Sequence, residues 1–185
     1  NPPYIESNKI KDKNICKYGN IYADIIENSI SLLANKSILG YIIPLSYIST
    51  PRFKKLRDLI RLNTNIEYIS SFADRPDCLF CGVHQKLNIL IAQRDIQKYK
   101  EHIVYTSDYV YWYKEERKDI FNKLTYIQNK FLFNDCYPKI ANKMEINIFK
   151  KILSLEKKLS LNNSGTINLF LNMRTTYWIK SFLKE

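Results

Sequence analysis

The residues best equipped for chemistry are the first four, Asn1-Pro2-Pro3-Tyr4. The Asn1 side-chain carbonyl and the Pro2 backbone carbonyl can both accept hydrogen bonds from one NH2 group. Proline fixes φ, and a residue before proline is driven out of the helical region. Asn1 and Pro2 are therefore held extended before any ligand arrives. Pro3 continues the rigid stretch, and Tyr4 supplies a ring that can stack on a flat base. Two preplaced acceptors beside an aromatic suit a site that grips the exocyclic amine of a planar heterocycle.

Other chemistries find less support. Cys16, Cys78, Cys81 and Cys136 form no disulfide-framework pattern. Cys78 and Cys81 have CxxC spacing, but a zinc knuckle needs a second ligand pair and only His84 is near in sequence. No metal site is expected. Neither His84 nor His102 stands in a nucleophile–base pattern, so acyl transfer is not indicated.

The motif must be positioned by the elements downstream of it. Residues 5–20 are polar, rich in Lys and Asn, and read as a loop. Apolar positions at Ile25, Ile26, Ile30 and Leu33 predict a helix over residues 21–35. Ile38 to Leu45 reads as a central strand buried on both faces, with Pro44 at its end. Thr50-Pro51 predicts an N-cap with proline at the first helical position, and the helix runs to about Asn63. Ile66–Phe72 and Leu87–Gln93 read as strands, joined by a connection from Arg75 to Lys86 that is too long for a tight turn. Helix, strand, helix, strand, strand is the second half of a doubly wound α/β sheet. Further on, helices are predicted over Trp112–Leu124 and Met144–Ser160, and a strand over Ile167–Asn172 after a turn at Asn163-Ser164-Gly165.

The tetrapeptide resembles the catalytic motif of S-adenosylmethionine-dependent amino-group methyltransferases, above all the DNA adenine-N6 enzymes of large restriction-modification systems. The likeness continues in order through Tyr18-Gly19-Asn20-Ile21-Tyr22, Ile42-Ile43-Pro44-Leu45-Ser46, Phe72-Ala73-Asp74-Arg75-Pro76 and Leu79-Phe80-Cys81-Gly82-Val83-His84-Gln85-Lys86. It is weaker at residues 111–117 and 174–180. The resemblance implies the C-terminal half of a Rossmann-like methyltransferase sheet whose last strand runs antiparallel. Residues 1–98 would close the catalytic domain, and residues 99–185 would form a mixed, mainly helical extension toward a DNA target-recognition region. It also implies catalytic roles for Asn1, Pro2 and Tyr4 on a flipped adenine, with Pro3 beside the substrate. Phe80 would be a second aromatic at the base; packing beneath its own loop is an equal alternative. Arg75 and Lys86 flank that loop and are candidates for phosphate contacts, or else a solvated surface pair.

With 29 Lys and Arg against 18 Asp and Glu, the net charge is +11, and the excess is spread over both halves of the chain. That fits double-stranded DNA as partner, although a composition rich in Lys, Asn, Ile and Tyr contributes to it. No membrane-spanning run or secretory signal is visible, so a bacterial cytoplasmic enzyme is expected. No glycine-rich turn follows a strand, and the chain opens on the motif without an initiating Met. The S-adenosylmethionine site is thus expected mostly in an upstream half of the same polypeptide, leaving this fragment inactive alone. Two alternatives stay open: a methylase acting on a protein glutamine amide, and a non-catalytic DNA-binding module.

Overall fold

The computed structural model describes residues 1–9, 17–95, 102–130 and 135–159. Its α/β architecture centres on a five-stranded mixed sheet of order β1-β3-β2-β4-β5. The strands are β1 (Ile38–Pro44), β2 (Ile66–Phe72), β3 (Leu87–Gln93), β4 (Ile103–Val110) and β5 (Tyr126–Gln128). The helices are α1 (Ile21–Ser31), α2 (Ser46–Ser49), α3 (Lys54–Asn63) and α4 (Lys143–Leu159). β3 inserts between β1 and β2 and runs antiparallel to both, with Leu87 opposite Pro44 on one side and Phe72 on the other. This is the antiparallel last strand expected of the sheet.

One face of the sheet carries α1 and α3. Ile26 and Ile30 of α1 and Leu56 and Ile60 of α3 share a core with Leu39, Ile43, Ile69, Leu90, Ala92 and Val104 from four strands. The strand residues alternate, as a pleated sheet requires. Asn20 caps α1 by accepting from Tyr22 N–H at 3.3 Å. Thr50 stands before Pro51 as expected, but its hydroxyl bonds back to Ser46 C=O at 2.7 Å, so no side chain caps the following turn.

The opposite face is open over part of its area. Ile38 is 65% exposed, Ile91 44% and Tyr68 37%, and Gly40 is exposed beside them. Tyr68 stacks on Tyr105 at 4.8 Å and meets the edge of Tyr126. β1 is therefore buried on one face only, where its apolar run predicts two. At the other end of this face, Phe72, Val110, Trp112 and Ile120 form a second core.

Beyond residue 98 the fold departs from expectation. β4 pairs parallel with β2, and β5 pairs with β4; neither strand is anticipated by the residue pattern. The helix expected over Trp112–Leu124 is instead a run of 3-10 turns, Lys114–Lys123. Its charged sequence offers no apolar stripe, and Ile120 alone is buried. α4 falls where a helix is expected. The chain divides into compact units of residues 1–147 and 148–185. The expected turn at 163–165 and strand at 167–172 lie outside the described residues.

The first unit holds a buried ionisable cluster. Glu67 is fully buried and accepts from Tyr47 Oη at 2.5 Å, while His102 Nε2 lies 3.8 Å from it, too far for a hydrogen bond. Burial pushes the Glu67 carboxyl up to about 7, against the pull of Tyr47 and Arg57. Burial and Arg61 push His102 down to about 4, so the two do not form an ion pair at neutral pH. Arg57 donates to the Tyr47 and Thr50 carbonyls and ties α3 to the segment after β1.

A second tie holds the connection after β2. Arg117 donates to the Cys78 and Leu79 carbonyls and pairs with Asp77 at 3.2 Å, and Asp77 N–H donates to Trp112 C=O. The Asp77 carboxyl is held low, first by the Cys78 backbone N–H and then by Arg117.

Two outcomes are expected. Between its ordinary value of 4.5 and about 7, folded Glu67 keeps a proton that the unfolded chain has lost, so its contribution to stability falls as pH rises through that window. His102 acts oppositely between about 4 and 6.5, where the unfolded chain takes up a proton that the folded chain refuses. In urea unfolding, the stability of Glu67→Gln relative to the unmodified chain should therefore improve from pH 5 to pH 8, by up to about 3 kcal/mol. An equal difference at both pH values would refute a raised Glu67. Arg117→Ala should cost about 1–2 kcal/mol and speed exchange of the Asp77 and Val83 amides; unchanged protection there would show that Arg117 does not hold the loop.

Candidate functional site

The N-terminal motif is tied down from two directions. Ile5 C=O accepts from Ile21 N–H at 3.0 Å, and Glu6 bridges Asn20, so the chain after the motif is bound to the start of α1. Gly19, at φ +77°, makes the turn that brings Asn20 into both the bridge and the cap. The second tie is Tyr4, whose hydroxyl lies 2.7 Å from the Ile42 carbonyl on β1. Its ring meets Tyr22 edge-on at 6.2 Å, and Tyr22 in turn packs on Phe53. Burial raises the Tyr4 hydroxyl to about 12, so it keeps its proton at neutral pH.

The same hydroxyl lies 2.6 Å from Asn1 Oδ1, joining the first and fourth residues of the motif. Asn1 is exposed, Pro2 buried, Pro3 exposed and Tyr4 half-buried. Among the described residues no donor reaches the Pro2 carbonyl. The motif thus offers an exposed amide and an unused backbone acceptor on a stretch that both prolines keep extended.

Phe80 sits in the connection between β2 and β3. Its carbonyl accepts from Val83 N–H at 3.0 Å and from the Cys78 thiol at 2.9 Å. Leu79 packs against the second core, whereas half-buried Phe80 belongs to neither core. The connection leaves β2 at Phe72 and re-enters the sheet at Leu87, opposite Pro44. Leu45 N–H donates to Lys86 C=O at 3.0 Å, extending that pairing by one step. Since Ile42 lies two residues from the end of β1, the Tyr4 tether and the Phe80 connection meet the same end of the sheet. Arg75 is exposed and Lys86 half-buried, and neither forms an ion pair among the described residues.

Some residues that shape this end carry no local sequence signal. Arg117 reaches the Phe80 connection from about 40 positions away, a link that no local spacing marks. Lys139 sits on the Tyr109 ring at 3.9 Å through a contact that belongs to no motif. Tyr22, the support under Tyr4, does have a signal, because it closes the Tyr18–Tyr22 segment of the family likeness.

Residues 1–78 match the Eco57I restriction-modification methylase family. Three solved structures share the fold. A nuclease-deletion mutant of the Type ISP restriction-modification enzyme LlaGI, in complex with a DNA substrate mimic, is 16% identical, with 77% of this chain and 15% of that one covered at a TM-score of 0.52. The ATP-dependent Type ISP enzyme LlaBIII, bound to DNA, is 11% identical, with 74% and 12% covered at 0.54. DrdV in its DNA complex is 11% identical, with 65% and 14% covered at 0.53. No curated protein matches the chain. The chain thus spans no more than 15% of the length of these enzymes. Over residues 1–78 it is similar to the restriction-modification methylase family, and over 65% or more of its length it shares a fold with part of each of these three proteins.

Proposed function

We propose that this chain is the C-terminal part of the catalytic domain of a DNA adenine-N6 methyltransferase from a bacterial restriction-modification enzyme. The observation that carries the reading is the motif's geometry: an exposed Asn1 amide and an unused Pro2 carbonyl on one rigid stretch, braced by Tyr4. The three similar enzymes were captured with DNA or a DNA mimic, which supports duplex DNA as the partner. On this reading the enzyme works beside its DNA in the cytoplasm. No helix among the described residues is long and apolar enough to cross a membrane.

When bound, S-adenosylmethionine supplies an electrophilic methyl group. The residues present here fit the amine side of the reaction. A glycine-rich turn for the cofactor is not among them. Asn1 Oδ1 and Pro2 C=O accept the two hydrogens of adenine N6. They thereby orient its lone pair, which is otherwise delocalised into the ring, without any covalent enzyme intermediate. The base must leave the duplex to reach them, and Tyr4, Pro3 and Phe80 are the groups that would surround it. Arg75 and Lys86 would hold backbone phosphates. Residues from 99 onward would lead toward target recognition.

Tyr4 also has an orienting role. Its hydroxyl has one proton for two acceptors, Asn1 Oδ1 at 2.6 Å and Ile42 C=O at 2.7 Å. A half-turn of the Asn1 amide resolves the conflict. Nδ2 then donates to Tyr4 Oη, Tyr4 donates to Ile42 C=O, and Asn1 Oδ1 is left free for the substrate amine.

In the intact enzyme, Asn1→Ala should lower transfer of a labelled methyl group to duplex DNA by about 10³-fold or more while leaving the melting temperature unchanged. Label appearing in protein but never in DNA would replace adenine by a glutamine amide as the substrate. Tyr4→Phe keeps the ring and loses the orienting bond, so kcat should fall about tenfold, or about 1.4 kcal/mol, with little change in DNA affinity. Wild-type kcat in that variant would remove the orienting role.

A further inference from the structure

At the end of the sheet that meets the motif, polar residues stand side by side across three strands. Asn88 on β3, Ser71 on β2 and Tyr109 on β4 are opposite one another in the pairing register. Ser71 Oγ donates to Asn88 Oδ1 at 3.1 Å. Two donors in this row go unused: Asn88 Nδ2 and Tyr109 Oη are buried and have no hydrogen-bond partner among the described residues. Such groups are uncommon in folded proteins, and each one calls for a partner.

Two lysines border this row. The Lys139 ammonium lies 3.9 Å from the centre of the Tyr109 ring. Lys86, immediately before β3, is close enough to oppose its charge. Lys139 is half-buried and forms no ion pair among the described residues. Its pKa is lowered, first by burial and then by Lys86, and Asp108 offsets part of this. Asp74 acts on Tyr109 as well, but neither Asp74 nor Asp108 pairs with a lysine of this cluster among the described residues. A half-buried ammonium without an ion pair, beside an unused hydroxyl donor, leaves two groups able to take an anion.

We propose that Lys139, Lys86 and the Tyr109 hydroxyl form a binding site for a tetrahedral phosphate group. Three donors of this kind match the oxygens of a phosphodiester or of free phosphate, and the ammonium groups act as point charges that tolerate either. That the phosphate belongs to DNA rests on the proposed methyltransferase function; the position of the site does not. A site here would hold the nucleic-acid backbone at the same end of the sheet as Asn1 and Phe80.

The test compares the 185-residue chain with Lys139→Met, Lys86→Met and the exposed control Lys114→Met; methionine retains an apolar stem over Tyr109. Each is titrated with inorganic phosphate, read by the lysine side-chain NMR signals, and with a labelled DNA duplex, read by anisotropy across a salt series. Phosphate should shift the Lys139 signal. Lys139→Met and Lys86→Met should each weaken duplex binding several-fold and lower the salt slope by about 1, and Lys114→Met should bind more tightly than either. A Lys139 signal shifted by phosphate in a chain that binds no duplex supports the site, names free phosphate as its ligand and counts against the DNA reading. Unmodified duplex affinity and slope in both Lys139→Met and Lys86→Met, with a Lys139 signal indifferent to phosphate, overturns the site and leaves the DNA reading standing.

Discussion

The insertion of β3 between β1 and β2 is the constraint on which the rest depends. Each of its seven residues faces a partner on both sides, so the ends of β1 and β2 cannot slide relative to one another without breaking both ladders. The Tyr4 tether belongs to β1 and the Phe80 connection to the β2–β3 junction. One strand therefore sets the spacing of two segments about 75 residues apart in the chain. The alternation along β3 also decides what lies under them: Leu90 and Ala92 join the helical core, while Leu87 faces the other way.

Much of this is legible in the residue pattern. The bounds of β2 and β3 follow directly from apolar runs of strand length bracketed by polar connections, and α3 follows from Pro51 and its apolar spacing. These elements have strong local causes. The antiparallel direction of β3, by contrast, comes from family resemblance, and its place between β1 and β2 comes from the structure, because two apolar runs in sequence do not announce that the later one intrudes between its predecessors. β4 escapes the pattern although Ile103-Val104-Tyr105-Thr106 is rich in β-branched and aromatic residues. β4 draws its stability from non-local pairing with β2.

The site divides along the same line. Asn1, Pro2 and Tyr4 can be named because their chemistry resides in adjacent residues. The groups that brace this end of the sheet are contributed from afar: Ile42 holds Tyr4 through a backbone carbonyl, and Arg117 holds the Phe80 connection from about 40 positions away. A backbone carbonyl has no side-chain signature at all. The double-sided burial expected of β1 fails for a different reason. An apolar run reports what a strand can tolerate on each face, and here only one face carries helices from the described residues.

The bare part of the sheet, around Ile38, Ile91 and Tyr68, has a practical side. In dilute buffer a charge of +11 keeps copies apart. The screening length shrinks from about 10 Å at 0.1 M salt to about 3 Å at 1 M, and that protection fades. The washes commonly used to strip nucleic acid from cationic proteins are therefore the conditions in which this greasy strip would drive molecules to clump.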